Sequence, residues 1–157
     1  MAAGDILKEQ LLVVEEFTVK ANEDIEKGEV VYNDGAGILA AGAGVAQKMM
    51  VALEAHTYAS STVHKVKCVV MGCVVVQKIA VTGGGKKRQR MMVSATAGEV
   101  TLFVKGDAPT GGASQYYTTT IETGVQTAID TDISIVGLLQ EDAADADTTA
   151  KVWVGVY

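Results

Sequence analysis

The stretch from Ile25 to Gly44, which reads IEKGEVVYNDGAGILAAGAG, decides the fold of this chain of 157 residues. A short apolar strand over Glu29–Tyr32 leads into Asn33-Asp34-Gly35, and these residue types tolerate the positive φ angles of a tight hairpin. Ile38 and Leu39 then begin the return strand. The stretch therefore predicts a β-hairpin as the nucleus of a β-rich domain.

Two further patterns suggest that the chain contains an internal repeat. The turn signal Lys27-Gly28-Glu29 returns as Lys105-Gly106-Asp107. A pair of apolar segments separated by a polar loop also occurs twice. The first pair is Met50–Leu53 with Val66–Val69, and the second is Ile135–Leu138 with Val152–Gly155. If this repeat is real, it favours a strand over a helix for Met50–Leu53.

The composition predicts an all-β domain with many turns. Apolar residues make up 48% of the chain, Gly occurs 17 times and Pro once, and short apolar runs alternate with Gly, Asn, Asp and Thr. We expect a partly open barrel or a sandwich with at most one or two short helices. Residues 1–10 are expected to form an N-terminal arm before a single domain at 11–157, with possible halves at 11–81 and 91–157.

Two segments leave their secondary structure open. Met1–Gln10 can be a helix or a loose arm, and Val45–His56 fits either helical spacing or a short buried strand. Val63–Val81 carries the clearest strand signal, and Gly72 in its middle predicts a bend or a corner between two strands. The remaining predicted strands are Leu11–Val19, Met91–Ala95, Glu99–Val104, Tyr116–Glu122, Ile133–Leu139 and Thr149–Tyr157.

The net charge of −6 argues against a protein that coats nucleic acid, because affinity for phosphates requires an excess of Lys and Arg. The longest nearly uncharged run, Cys68–Val76, is too short for a membrane-spanning helix. Cys68 and Cys73 are expected to be free, buried thiols in a chain that folds in a reducing cytosol.

No motif in the sequence points to catalysis, a metal or a cofactor. Gly35–Ala40 fits a loose dinucleotide fingerprint but lies in a hairpin and not at the start of a helix. The acidic segment Gln140–Asp147 lacks the pattern of a calcium loop. The basic segment Thr82–Arg90 is interpreted as a hairpin tip, either simply solvated, docked on an acidic protein surface, or in contact with nucleic acid.

A family resemblance rests on four segments taken together. They are Lys27–Tyr32, Gly37–Ala41, Val51–Glu54 and Val66–Gly72. This succession resembles the small β-rich capsid decoration, or cement, proteins of tailed bacteriophages and related archaeal viruses. Ser134–Asp142 and Lys151–Gly155 repeat its last two parts, whereas the basic loop at 83–90 departs from the pattern.

The resemblance implies a non-enzymatic virion protein on the outer surface of an icosahedral capsid. Members of that family form trimers and use an N-terminal arm to pair with strands of the major capsid protein. The residues expected to bind partners are Leu7, Leu11, Leu12, Lys86, Lys87, Arg88 and Arg90. Two other functions stay open at this point: a self-assembling tail-tube, head-completion or shell protein, and a barrel that binds a small ligand or nucleic acid through its basic loop.

Overall fold

The computed structural model describes residues 3–4, 6–42, 45, 47–81, 84–103 and 135–155. These residues form an all-β fold without helices, as the composition predicts. The strands are β1 (Ile6–Thr18), β2 (Val30–Asn33), β3 (Ile38–Ala40), β4 (Met49–Ala52), β5 (Lys65–Gln77), β6 (Arg90–Val93), β7 (Val100–Leu102), β8 (Ile135–Leu139) and β9 (Thr149–Val154).

All the strands belong to one curled antiparallel sheet. Its order is β3-β2-β4-β5-β9-β8-β6-β7, and β1 pairs with β5 off this path. The strand order is equivalent when it is read from either end. From one end it runs β3-β2-β4-β5, and from the other it runs β7-β6-β8-β9, with each strand corresponding to its counterpart. The curled sheet gives the partly open barrel that the sequence predicts.

The sheet consists of two structurally equivalent units that share β5. Unit 1 comprises the second half of β1 (Val13–Thr18), then β2, β3, β4 and the first half of β5. Unit 2 comprises the second half of β5 (Gly72–Gln77), then β6, β7, β8 and β9. In unit 1 a parallel bridge between Val19 and Ile38 joins the end of β1 to β3. In unit 2 a parallel bridge between Lys78 and Val100 joins the end of β5 to β7.

Equivalent hydrogen bonds confirm the internal repeat. Before β2, the Glu29 carboxylate accepts a bond from the backbone N–H of Glu26, and before β6 the Gln89 side chain accepts one from Lys86. In the same turns Gly28 and Arg88 both have a positive φ, 85° and 71°. Their N–H groups donate to Ala52 in β4 and to Leu139 in β8, respectively.

Strand β5 bends where the two units join. Gly72 has a φ of 146°, which side chains rarely adopt. Cys68 and Val69, before this glycine, pair with β4, and Gly72 to Gln77 pair with β9. The expected bent strand is therefore confirmed, and the bend allows one strand to serve both units.

The apolar core has two parts. A smaller cluster lies within unit 1 and includes Val31, Ile38, Met50 and Cys68. A larger cluster contains buried apolar side chains from both units. Its members from β4 to β9 include Val51, Val69, Val74, Met91, Leu139 and Val152. Cys68 and Cys73 are both free and buried, as expected, and burial raises the pKa of the Cys68 thiol to about 12.

Two sequence predictions require correction, and the open alternative at Val45–His56 is resolved. The described part of the N-terminal segment is not a helix, since Ile6–Gln10 forms the first part of β1. Val45–His56 contains no helix among its described residues and supplies β4. The described part of 82–90 is not the tip of a hairpin between β5 and β6, because those two strands do not pair with each other.

The proposed repeat is real, but its alignment was wrong by two positions at β4. Met50 pairs with Val31 in unit 1, and the equivalent pair in unit 2 is Gly137 with Met91. The equivalent of the turn before β2 is Lys87-Arg88-Gln89. The turn signal at 105–107, the predicted strand Tyr116–Glu122 and the loop between them lie outside the described residues.

Gly137 offers a test of this packing. A Cβ atom at this position would clash with the backbone carbonyl of Trp153 in the neighbouring strand. We expect Gly137→Ala to lower the free energy of unfolding by about 2 to 3 kcal/mol in urea denaturation, because β8 must shift away from β9. Gly42→Ala is the control, since no atom of the described residues lies within 4 Å of the added methyl group. A variant with the stability of the wild type would contradict the close approach of β8 and β9.

Candidate functional site

Strand β1 is the most exposed strand that the structure describes. Val13, Val14, Glu15 and Glu16 follow one another and are all exposed. Because successive side chains of a strand point to opposite faces, this run leaves both faces of β1 open to solvent. Val13 and Val14 are 43% and 37% exposed, and Met71, which is paired with Val13, is 38% exposed.

The backbone of β1 also has an edge that no strand in the described part of the chain covers. Val19 donates its N–H to His64 on the β5 side, and Lys20 donates to Ile38 on the opposite side. Since these directions alternate along an antiparallel strand, the N–H and C=O groups of Val14 and Glu16 point away from β5. No described strand pairs with them there.

The equivalent edge in unit 2 is covered. Val75 and Gln77 are the counterparts of Glu16 and Thr18. The carbonyl of Val75 accepts a hydrogen bond from Gly4 at 2.6 Å, and the N–H of Gln77 donates to the carbonyl of Gly28 at 2.9 Å. Ile6 and Lys8 continue along the same edge of β5. Among the described residues, the second half of β5 is thus paired along both of its edges, whereas its counterpart in unit 1, the second half of β1, is paired with β5 along one edge and is open beside Val14 and Glu16.

The predicted partner-binding leucines all lie in β1. Leu7 and Leu11 belong to the strand, although only their backbone is described. Leu12 is half-buried and packs against the larger core cluster. Leu12 thus contributes to the core of this chain, and Val13 and Val14 are the exposed aliphatic residues next to it.

The predicted basic residues lie on the turn before β6 and at the start of that strand. Lys86 is paired with Asp142 at 3.1 Å, and the same carboxylate accepts a hydrogen bond from the backbone N–H of Lys87. Arg90 lies over the ring of Phe103 at 5.8 Å. Lys87 and Arg88 are exposed. The acidic segment between β8 and β9 thus holds the basic turn from within the same unit.

A buried lysine holds that acidic segment in place. Lys78 is 2% exposed, and its ammonium group donates to the backbone carbonyls of Ile79, Asp145 and Asp147 at 2.8 to 3.2 Å. A buried ammonium that satisfies three carbonyls fixes the course of the chain around it. Lys78 therefore has a structural role that sequence patterns did not suggest.

A cluster of rings in unit 1 was also missed. His56 is buried, its Nε2 atom lies 3.2 Å from Nδ1 of His64, and the Tyr58 ring stacks on His64 at 4.0 Å. This cluster packs the segment between β4 and β5. Within the described ranges, no group of three or more His, Cys, Asp or Glu side chains is placed to hold a metal ion.

Comparisons with known proteins do not identify the chain: no protein-family model, curated protein or solved structure matches it. Among the described residues, no helix is long and apolar enough to cross a membrane. The site is therefore defined by its geometry alone, as an open strand edge on unit 1 and an internally paired basic turn on unit 2.

The contact between the basic turn and the acidic segment predicts a pH dependence. The hydrogen bond from the Lys87 backbone, followed by that from Lys86, lowers the pKa of Asp142 below its ordinary value of 3.8. A lowered pKa stabilises the fold above the ordinary value, and this contribution is lost as the pH falls through the folded-state pKa.

We therefore expect Asp142→Asn to lower the melting temperature at pH 7 and to leave it unchanged at a pH below the folded-state pKa. Asp145→Asn is the control, since its contacts in the structure come from its backbone carbonyl. Thermal melts of the three proteins between pH 2 and 7 measure the difference. An equal effect of Asp142→Asn at both ends of that range would refute the carboxylate's role.

Proposed function

We propose that this chain is a non-enzymatic virion protein that binds the outer surface of an icosahedral capsid and stabilises the shell. The observation that carries the proposal is the open edge of β1, with exposed Val13 and Val14 beside it. The succession of segments from Lys27 to Gly72, which resembles capsid decoration proteins, supplies the class of partner.

An open strand edge suits attachment to a shell. An added strand binds mainly through backbone hydrogen bonds, which require few specific side chains. Each such bond contributes about 1 kcal/mol net, so one short strand pairing is weak. Many copies on one lattice compensate for this, because contacts between neighbouring copies raise the effective affinity of each. The proposed partners are the major capsid protein and further copies of the chain, arranged as a homotrimer.

The basic turn is the less favoured attachment point. Asp142 binds both the side chain of Lys86 and the backbone of Lys87, so this acidic group offsets part of the local positive charge. That pairing also weakens the case for a barrel that binds nucleic acid, since phosphate binding needs unopposed cations. Lys87, Arg88 and Arg90 remain accessible for a secondary contact with an acidic capsid surface.

The proposal is tested by adding the purified protein to expanded capsids that lack it. We expect saturable cosedimentation with the shells and a higher temperature of capsid disruption. Light scattering on the free protein should show a small oligomer. A strictly monomeric protein without affinity for any shell would contradict the proposal.

Electron microscopy of the purified chain distinguishes decoration from self-assembly. The exposed edge of β1 could also serve a tail-tube or shell protein, in which copies of one chain associate. A decoration protein is expected to remain a small oligomer at high concentration. Spontaneous tubes or closed shells would favour the self-assembling virion component.

A further inference from the structure

We propose that the outer edge of β1, from Val13 to Phe17, accepts an extended partner segment in which basic and aliphatic residues alternate. The segment adds to the sheet as an antiparallel strand. This proposal deepens the proposed function, on which it rests for the source of the partner, by stating the chemistry of the segment and the position at which it binds.

Unit 2 already contains an equivalent of the proposed backbone contact. At the equivalent edge of unit 2, Gly4 donates to Val75, and Ile6 and Lys8 pair antiparallel with Val74 and Cys73, with a register shift between these two pairs. The counterparts of Val75 and Cys73 in unit 1 are Glu16 and Val14. These two residues present the same outward N–H and C=O groups, and no described backbone group meets them. An extended segment therefore has a preformed position on β1.

The charges on β1 favour a basic segment. Glu15 is exposed and makes no ion pair with any side chain that the structure describes. On its paired edge, β1 lies beside Lys65-Val66-Lys67, and Lys65 binds the Glu16 carboxylate at 2.9 Å. A cross-strand partner of opposite charge is favourable and one of like charge is not. A Lys or Arg opposite Glu15 meets that preference on the open edge.

The exposed valines favour aliphatic residues between the basic ones. Val14 and Glu15 lie on opposite faces of β1, so the residues that alternate with the basic ones on an added strand cover exposed Val14. β-branched residues pack well across strands. An alternating segment thus places a basic residue beside Glu15 and an aliphatic residue on the face of Val14.

A second copy of β1 is a poorer occupant of this edge. An antiparallel pair of β1 strands centred on these residues brings Glu15 and Glu16 of both copies together, and like charges on neighbouring strands repel. In another copy, Gly4, Ile6 and Lys8 are engaged on that copy's own β5. Moving it to a neighbouring β1 would exchange one set of hydrogen bonds for another without gain.

The test titrates the full-length, ¹⁵N-labelled protein with an acetylated and amidated peptide of about eight alternating Lys and Val residues, the length of a short strand. We expect amide shift changes centred on Val13–Phe17 and slower hydrogen exchange at Val14 and Glu16. A peptide with Glu in place of Lys is the matched probe and should bind at least about tenfold more weakly. Equal binding of both peptides, or shifts centred elsewhere, would overturn the proposal.

Two pairs of variants separate the contribution of backbone hydrogen bonds to peptide binding from the contribution of charge. Val14→Pro removes an outward N–H that β5 does not use, and proline is tolerated on an edge strand. We expect it to weaken binding of the Lys peptide by at least about tenfold, whereas Val14→Thr, which keeps the N–H, changes it by no more than about twofold. Glu15→Lys should reverse the preference between the two peptides, and Glu15→Gln should reduce it. Circular dichroism checks that each variant folds, and unchanged binding by folded Val14→Pro would refute strand addition.

The outcomes distinguish this inference from the proposed function. Capsid binding that persists in folded Val14→Pro, without binding of the Lys peptide to the wild type, leaves the capsid role intact and refutes this edge as its acceptor. Binding of the peptide at β1 without affinity for any capsid supports the edge and refutes the capsid role. Outward amides that are already protected in dilute free protein show an edge that is covered, and this also overturns the inference.

Discussion

The fold depends on the pairing of β5 along both of its edges. One edge is bound by β1, and the other is bound by β4 before Gly72 and by β9 after it. Because the same strand supplies the last strand of unit 1 and the first strand of unit 2, neither unit can lose β5 without opening the other. The buried residues Val69 and Val74, one on either side of the bend, belong to the same apolar cluster. The two units therefore form one cooperative structure.

The parts of the fold that depend on local chemistry were predictable from the sequence. The turn after Asn33 is made by side chains that bond to nearby backbone, since Asn33 accepts from Gly35 and Asp34 accepts from Ala36. Gly72 in an apolar run likewise indicated the bend in β5. The alignment of the repeat was not predictable, because equivalent positions of the two units carry side chains of different size. A valine pairs with a methionine in unit 1, whereas a methionine pairs with a glycine in unit 2. Complementary packing is conserved between the units, whereas residue type at each position is not.

The candidate site was also predictable only in part from the sequence. The sequence indicated a strand over Leu11–Val19, but only the sheet order reveals that no described strand covers one of its edges. Charged residues on an edge strand normally discourage association with other sheets. On β1 they also restrict the choice of partner, since a carboxylate repels acidic segments and attracts basic ones. The ion pair between Lys86 and Asp142 was equally hidden, because it joins residues far apart in the sequence.

Amide hydrogen exchange along β1 in dilute protein tests this account most directly. The shared use of β5 predicts protection at Glu15 and Phe17, whose N–H groups point to β5, and rapid exchange at Val14 and Glu16, whose groups point outward. It also predicts protection on both edges at the end of β5, at Gln77, whose N–H donates to Gly28, and at Lys78, whose N–H donates to Thr148. This alternation on β1 beside continuous protection on β5 would support an open acceptor edge. Uniform protection along β1 would contradict it.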